Sequence, residues 1–251
     1  MLDYDKEAAH YDDSRGGEPR ASAAARAVLS LLPGRPRDLL DVGCGTGIVT
    51  RRLAAGREGL RVTGVDRAPG MARHAAVRLP GAVVLADCRR LPFPGGRFDA
   101  VTGVWLLHLA ADSAEVQRIV GECARVLRPG GVWVTTVDKG PSHNVGSDID
   151  AVLAARRPSP VRDRAAAVEE YARGHGLIPA GQARFTGVGQ GRSPRRTIAD
   201  LRRGWFVTLP PGHPCADGFA ARLAALPDQD RPRPDPVFTL RAFRKPPPEG
   251  V

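Results

Sequence analysis

The segment Leu39-Leu40-Asp41-Val42-Gly43-Cys44-Gly45-Thr46-Gly47 constrains this chain more than any other. An apolar run enters a loop with glycine at every second position, and a helical stretch at 48–55 leaves it. Glycine tolerates positive φ and carries no side chain, so such a loop lets main chain approach a ligand at the carboxyl edge of a sheet. The surroundings agree. β-type runs at 38–42, 60–66, 82–86, 98–104 and 131–137 alternate with helical stretches at 48–55, 69–79 and 113–127, a pattern that predicts βαβ units around a parallel sheet. In the last of those helices Val116, Ile119, Val120, Cys123, Val126 and Leu127 recur close to the helical period. A further helix is expected at 21–32.

The loop's neighbours say what it holds. A dinucleotide fingerprint would place its third glycine at position 48, which is Ile48, and no Gly-Lys-Ser/Thr follows for a nucleoside triphosphate. Asp41 stands two residues before the first glycine, where a carboxylate repels phosphate and suits a cation. Asp66 ends the second strand 19 residues after Gly47, a position from which an acid accepts hydrogen bonds from both ribose hydroxyls. Asp87 follows the third strand and can accept from an exocyclic amine. A ligand with a ribose, an adenine and a positively charged methionine-like end is S-adenosylmethionine.

Four stretches, LLDVGCGTG, VTGVDRAPGM, ADCRRLPFPGGRFDAV and RVLRPGG, occur in that order between about 38 and 137. Together they resemble the class I S-adenosylmethionine-dependent methyltransferases of the small-molecule type called type 11. The N-terminal YDKEAAHYD also resembles the lead-in that folds over the cofactor in that family. The resemblance implies an α/β fold: a Rossmann-like, doubly wound, seven-stranded sheet, mostly parallel with a C-terminal antiparallel strand, plus helical cap insertions. It implies that Gly43, Gly45 and Gly47, with Cys44 between them, line the methionine portion and that Asp41 lies near its amino group. Asp66 would hold the ribose, Arg67 and Met71 flank the adenine, and Asp87 with Cys88 meet its edge. Val104 and Trp105 would touch the cofactor from beyond the fourth strand, and Tyr11 and Arg15 would contact the methionine carboxylate or cap the site.

Methyl transfer to a protonated oxygen or nitrogen needs a base, and histidine suits that task near neutral pH. His108, just past the fourth strand, is the first candidate, and His143, after the fifth, the second. The acceptor pocket is expected from the lead-in and from 140–175 and 192–230, with Tyr171, Trp205, Phe206 and Phe219 as available aromatics.

The organisation expected is a lead-in and helix at 1–36, a cofactor core at 37–139, cap helices with the last two strands at 140–245, and a disordered proline-rich tail at 246–251. Within the third segment helices are expected at 148–156, 162–175, 197–209 and 218–226, and strands at 181–188 and 237–244.

The net charge of +10 invites a nucleic-acid partner, but 34 of the 37 basic residues are arginine in a chain with 29 glycines and 23 prolines. That composition suits a GC-rich genome as well as a phosphate-binding surface. No [Asp/Asn]-Pro-Pro-[Tyr/Phe] motif follows the fourth strand, which argues against amino methylation of DNA bases. The reading is therefore methyl transfer to oxygen, nitrogen or carbon of a small metabolite, including one of secondary metabolism. The competing readings are an RNA or protein methyltransferase, with Arg192, Arg195, Arg196, Arg202 and Arg203 as contact surface, and a noncatalytic cofactor-binding regulatory subunit. Cys44, Cys88, Cys123 and Cys215 form no Cys-x-x-Cys pair and have no histidine at ligand spacing, so free thiols and no metal are expected. No apolar stretch approaches the roughly 20 residues of a bilayer span, and the acidic N-terminus is unlike a secretion signal. A cytoplasmic monomer or homodimer, with no membrane partner, is the expectation.

Overall fold

The computed structural model describes residues 4–156, 159–203 and 214–247. Trp205, Phe206, His213, the end of the helix expected to reach 209 and most of the tail lie outside the described residues. In chain order the elements are α1 (Tyr4–Glu7), α2 (Tyr11–Ser14), α3 (Gly17–Ser30), β1 (Asp38–Val42), α4 (Ile48–Ala55), β2 (Arg61–Asp66), α5 (Pro69–Arg78), β3 (Val83–Leu85), β4 (Phe98–Gly103), α6 (Ser113–Val126), β5 (Leu127–Val137), α7 (Asp148–Leu153), α8 (Ala165–Gly174), β6 (Ile178–Thr186), α9 (Pro194–Arg202), α10 (Ala216–Ala224) and β7 (Val237–Arg244). Single 3₁₀ turns at Leu107–Leu109 and Pro141–His143 follow β4 and β5.

The seven strands form one sheet in the order β3-β2-β1-β4-β5-β7-β6. β1 to β5 pair in parallel, and β7 inserts antiparallel between β5 and β6. β1 is buried at all five positions, as an apolar strand covered on both faces must be. Its neighbours are β2 on one side and β4 on the other, so chain order reverses there and a crevice opens at the carboxyl ends of these strands. One face packs α6 and α8 through residues such as Ile119, Cys123, Val168 and Ala172 against Trp133 and Phe243. The other packs α3 and α4 through Ala24, Val28 and Leu53 against Leu39, Val62 and Phe238. A third cluster joins α7, α9 and α10 through Ile149, Leu153, Leu201, Phe219 and Leu223.

β1, α4 and β7 have the bounds the sequence predicts. Several others move. β5 begins at Leu127, four residues before the expected 131, because the Pro-Gly-Gly segment bulges inside the strand instead of merely ending α6: Phe98 pairs with Leu127 and Ala100 already with Val132. Gly130 takes φ +83° in that bulge. β6 begins at Ile178 and ends at Thr186; most of its residues are exposed, so no apolar alternation marked its ends. α8 starts at Ala165 because the preceding segment is spent on β5, the Asp163 carbonyl accepting from the Asp138 N–H at 2.8 Å. α3 extends four residues earlier than expected, with Pro19 tolerated in its first turn.

Candidate functional site

The crevice is a cleft walled by the carboxyl ends of β1, β2 and β4 and roofed by the lead-in. Of the cofactor residues predicted from sequence, Tyr11, Asp41, Gly43, Cys44, Gly45, Asp66, Arg67, Met71, Cys88, Val104 and Trp105 line it. Arg15, Gly47 and Asp87 do not, and neither do His108 and His143.

The glycine loop is pinned by main chain. Gly43 and Cys44 donate their N–H groups to the Val65 carbonyl at 2.8 and 2.9 Å, and Gly45 donates to Asp66 Oδ2 at 2.8 Å. Gly45 has φ +56°, and a Cβ built there would meet nothing within 4 Å: it borders open cleft. Gly47 has another task. Its Cβ would lie 2.9 Å from the Ala75 Cα, so it lets α4 and α5 approach and stands behind the cleft wall.

Asp66 Oδ1 accepts the Ala68 N–H at 2.9 Å at the entrance of α5, so both carboxylate oxygens are held in place and each keeps a lone pair for a ligand. Asp41 is buried, and its Oδ2 accepts from Thr50 Oγ1 at 2.6 Å. Burial pushes its carboxyl up to about 7, with the Asp66 charge adding to the shift and the Thr50 hydrogen bond opposing it. A cation placed between the two acids would relieve that strain.

Beyond β3 the wall is Ala86, Cys88, Leu109, Ala110, Glu115 and Ile119. Burial and Asp87 push the Cys88 thiol up to about 11, leaving it a neutral contact. Asp87 turns to Arg89, whose guanidinium Nε donates to it at 2.9 Å and holds its carboxyl below the usual range. Glu115 takes the acidic place on this wall; its Oε2 accepts the Ala111 N–H at 2.8 Å. The sequence signal was Asp112-Ser113-Ala114-Glu115, a capping pattern whose aspartate accepts from the Glu115 N–H at 2.7 Å.

The lead-in is fastened to the core at several points. Asp5 Oδ1 accepts the Gly70 N–H at 2.5 Å. Asp12 accepts from Thr46 Oγ1 and pairs with Arg78, both at 2.7 Å. Tyr4 and Tyr11 face each other with ring centres 6.1 Å apart, and both line the cleft. Tyr4, Arg20 and Thr46 are cleft residues that sequence reasoning missed. The Arg20 guanidinium lies 4.2 Å from the centre of the Trp105 ring and 6.0 Å from that of Tyr11, and the Arg15 guanidinium lies 5.8 Å from the Tyr11 ring centre. Trp105 adopts φ +56° and donates its N–H to Thr136 Oγ1 at 2.5 Å, which ties the ends of β4 and β5 together.

His108 and His143 sit in the two 3₁₀ turns behind this wall. The His108 Nδ1 is buried with no partner among the described residues, and His143 packs 5.4 Å from the Phe238 ring centre. Burial holds His108 well below its ordinary value, with Lys139, His143 and Arg15 acting in the same direction. Burial, Lys139, Arg192, Arg15 and Arg20 do the same to His143. Both rings are neutral at pH 7. Of the aromatics expected at an acceptor pocket, Tyr171 packs on the first core and Phe219 in the third cluster.

A family model described as a methyltransferase domain matches residues 40–135. Residues 40–135 form a class I S-adenosylmethionine-dependent methyltransferase domain. An uncharacterised methyltransferase of Mycobacterium tuberculosis (strain H37Rv) is 35% identical over 158 residues, which are 61% of this chain and 60% of that one. A demethylmenaquinone methyltransferase of Thermus thermophilus is 40% identical over 111 residues, 42% of this chain and 49% of the relative. The chain thus spans about three fifths of the length of its mycobacterial relative. Among solved structures, the [4+2]-cyclase SpnF superposes with a TM-score of 0.60 at 22% identity, covering 98% of this chain and 94% of that one. A methyltransferase solved with the Haloferax volcanii Trm112 activator gives 0.61 at 20% identity, covering 98% and 99%. These likenesses concern the fold, which the methyltransferase domain shares with both. The cofactor of this domain class is S-adenosylmethionine. Among the described residues no group of histidine, cysteine or acidic side chains could hold a metal ion, and no helix is long and apolar enough to cross a membrane.

Proposed function

We propose that the cleft binds S-adenosylmethionine and that the protein transfers its methyl group to an oxygen, nitrogen or carbon of a small-molecule acceptor. The observation that carries this reading is the placing of two acids, Asp41 and Asp66, on either side of a glycine whose missing side chain leaves the cleft open. The residues fit the cofactor: a buried carboxylate that lacks a cation, an anchored carboxylate with lone pairs to spare, and an apolar slot between Met71, Ala86 and Ile119.

In this reading Asp66 holds the ribose hydroxyls, Gly43, Cys44 and Gly45 border the methionine chain, and Asp41 balances its ammonium group. Arg67, Met71 and Cys88 flank the adenine, with Asp87 acting through its fixed neighbour Arg89 and Gly47 through helix packing. Tyr11 and Val104 close the methionine side; Trp105 and Arg20 form the wall toward the acceptor, and Arg15 stands behind Tyr11. When bound, the cofactor supplies an electrophilic methyl on a sulfonium whose leaving group is a neutral thioether. The protein's share is alignment, which in favourable cases is worth several kcal/mol. The neutral rings of His108 and His143, at the carboxyl ends of β4 and β5, each hold a lone pair that can take the acceptor's proton.

A small acceptor is favoured over RNA because three of the five arginines expected as a contact surface have partners within the protein. Arg195 pairs with Asp230 at 2.6 Å, Arg203 with Asp200 at 2.7 Å, and Arg196 donates to the Ser14 carbonyl. Isothermal titration with S-adenosylmethionine, followed by a mass-spectrometric screen of small-molecule extracts for a gain of one methyl, tests the proposal. Absence of cofactor binding defeats it; binding without transfer would mark a noncatalytic subunit.

A further inference from the structure

Near its start, α3 turns one charged side chain inward. Arg20 is only 4% exposed, and it lines the cleft. Its guanidinium lies over the Trp105 ring, 4.2 Å from the ring centre, with the Tyr11 ring centre at 6.0 Å. Trp105 is itself fixed: its main-chain N–H donates to Thr136 Oγ1, and its ring packs edge-on against Phe185 and Phe238 at 5.5 and 5.6 Å. A guanidinium laid over an aromatic face uses its π surface there and keeps N–H groups for another partner.

Arg20 donates to the Tyr11 hydroxyl, but no carboxylate among the described residues pairs with it, and its Nε has no partner there. The buried Nε1 of Trp105 has none either. Asp12, the acid whose charge reaches Arg20, is taken by Arg78 and by Thr46 Oγ1, both at 2.7 Å. The acids that line the cleft are also held elsewhere: Asp41 by Thr50, Asp66 by the Gly45 and Ala68 N–H groups, and Glu115 by the Ala111 N–H. A buried guanidinium without a counter-charge is costly, and a second donor left without a partner beside it adds to that cost. One carboxylate answers both, because its two oxygens accept from a guanidinium and from an indole N–H together.

Resting on the reading of the cleft as a cofactor site, we infer that Arg20 and the Trp105 indole form a subsite of the cleft that binds one carboxylate. Trp105 follows β4 and Asp66 ends β2, with β1 and its glycine loop between them, so this subsite stands across the loop from the ribose position. Two ligands can bring a carboxylate there: the methyl acceptor, or the cofactor with its amino-acid end. Both present the same group to the same wall, and the experiment separates them.

The test is isothermal titration of the full chain with two pairs of probes, the members of each differing in the carboxylate. S-adenosylhomocysteine is compared with its decarboxylated analogue, which keeps the ammonium group. Benzoate is compared with benzamide on protein saturated with S-adenosylhomocysteine. In at least one pair the carboxylate binds about 10- to 100-fold more tightly, the range expected for charge-assisted hydrogen bonds, and the pair that responds names the source. Arg20→Met removes that preference while affinity for the member without the carboxylate stays nearly unchanged, a split that a merely structural arginine would not give. Trp105→Phe keeps the aromatic face, removes the indole N–H and lowers the same preference severalfold. No preference in either pair, or a preference that survives intact in either variant, overturns the inference. If Arg20→Met does not fold, Arg20→Lys replaces it: the charge stays, the planar fork is lost, and an undiminished preference overturns the inference in the same way. Failure of S-adenosylhomocysteine to bind the native protein defeats the cofactor reading itself. Binding of S-adenosylhomocysteine no tighter than its decarboxylated analogue, with benzoate no better than benzamide, leaves that reading standing and removes this subsite alone.

Discussion

The Asp66 carboxylate accepts the Gly45 main-chain N–H at 2.8 Å, so the acid at the end of β2 and the glycine loop at the end of β1 form one rigid edge of the cleft. A ligand that hydrogen-bonds Asp66 therefore meets a loop already in position, and disturbance of either residue is felt by the other.

Asp66→Ala removes both the ligand's acceptor and the loop's anchor. S-adenosylmethionine affinity should fall by about 10- to 100-fold, as a charge-assisted hydrogen bond suggests. Isothermal titration checks it; an unchanged dissociation constant would exclude Asp66 from the site.

Gly45→Val places a branched side chain at φ +56° facing open cleft. Binding should be abolished with little loss of secondary structure. Gly47→Val should do the reverse in part, because its Cβ would run into α5 at 2.9 Å and lower the melting temperature. Circular dichroism melts beside titrations separate the two, and equal loss of stability in both would refute the division of labour.

Asp41 gives a pH signature. Its carboxyl is raised from 3.8 to about 7 in the folded protein, so the folded state binds the proton more tightly than the unfolded chain. Stability of the cofactor-free protein is accordingly greatest below about pH 4 as far as this group is concerned, and is lost as pH rises toward 7, at roughly 1.4 kcal/mol per unit at most. Asp41→Asn should flatten that slope in denaturant titrations between pH 5 and pH 7, a range taken from the shift itself. Cofactor affinity should rise over the same interval, since a cationic ligand favours the ionised acid.

If His108 takes the acceptor's proton, His108→Ala lowers turnover by about 10²–10⁴-fold with cofactor affinity nearly unchanged. The ring's protonation lies well below its ordinary range, so the acid limb of the rate profile should also lie below 6.5. A loss of less than about fivefold would leave proton removal to His143 or to an acceptor already ionised.

Local chemistry made much of the fold legible. The strand at Asp38–Val42 and the helix at Ile48–Ala55 follow from an apolar run, then positive-φ glycines, then residues free of helix breakers. β7 was equally readable, since the buried apolar residues Phe238, Leu240 and Ala242 alternate with the partly exposed Thr239 and Arg241. β6 was not, because an exposed outer strand carries no such pattern and its bounds follow from pairing with β7.

The sequence by itself determined the strand–loop–helix frame and the acids Asp41 and Asp66, because strand ends and glycine spacing place those side chains at the carboxyl edge whatever the rest of the chain does. Only the tertiary structure decided that Arg20 and Tyr4, instead of Arg15, line the cleft and that Glu115 takes the wall that Asp87 leaves for Arg89. Those outcomes depend on which face a short helix presents and on partners far away in sequence, such as Arg20 over Trp105. Local propensity carries no record of either.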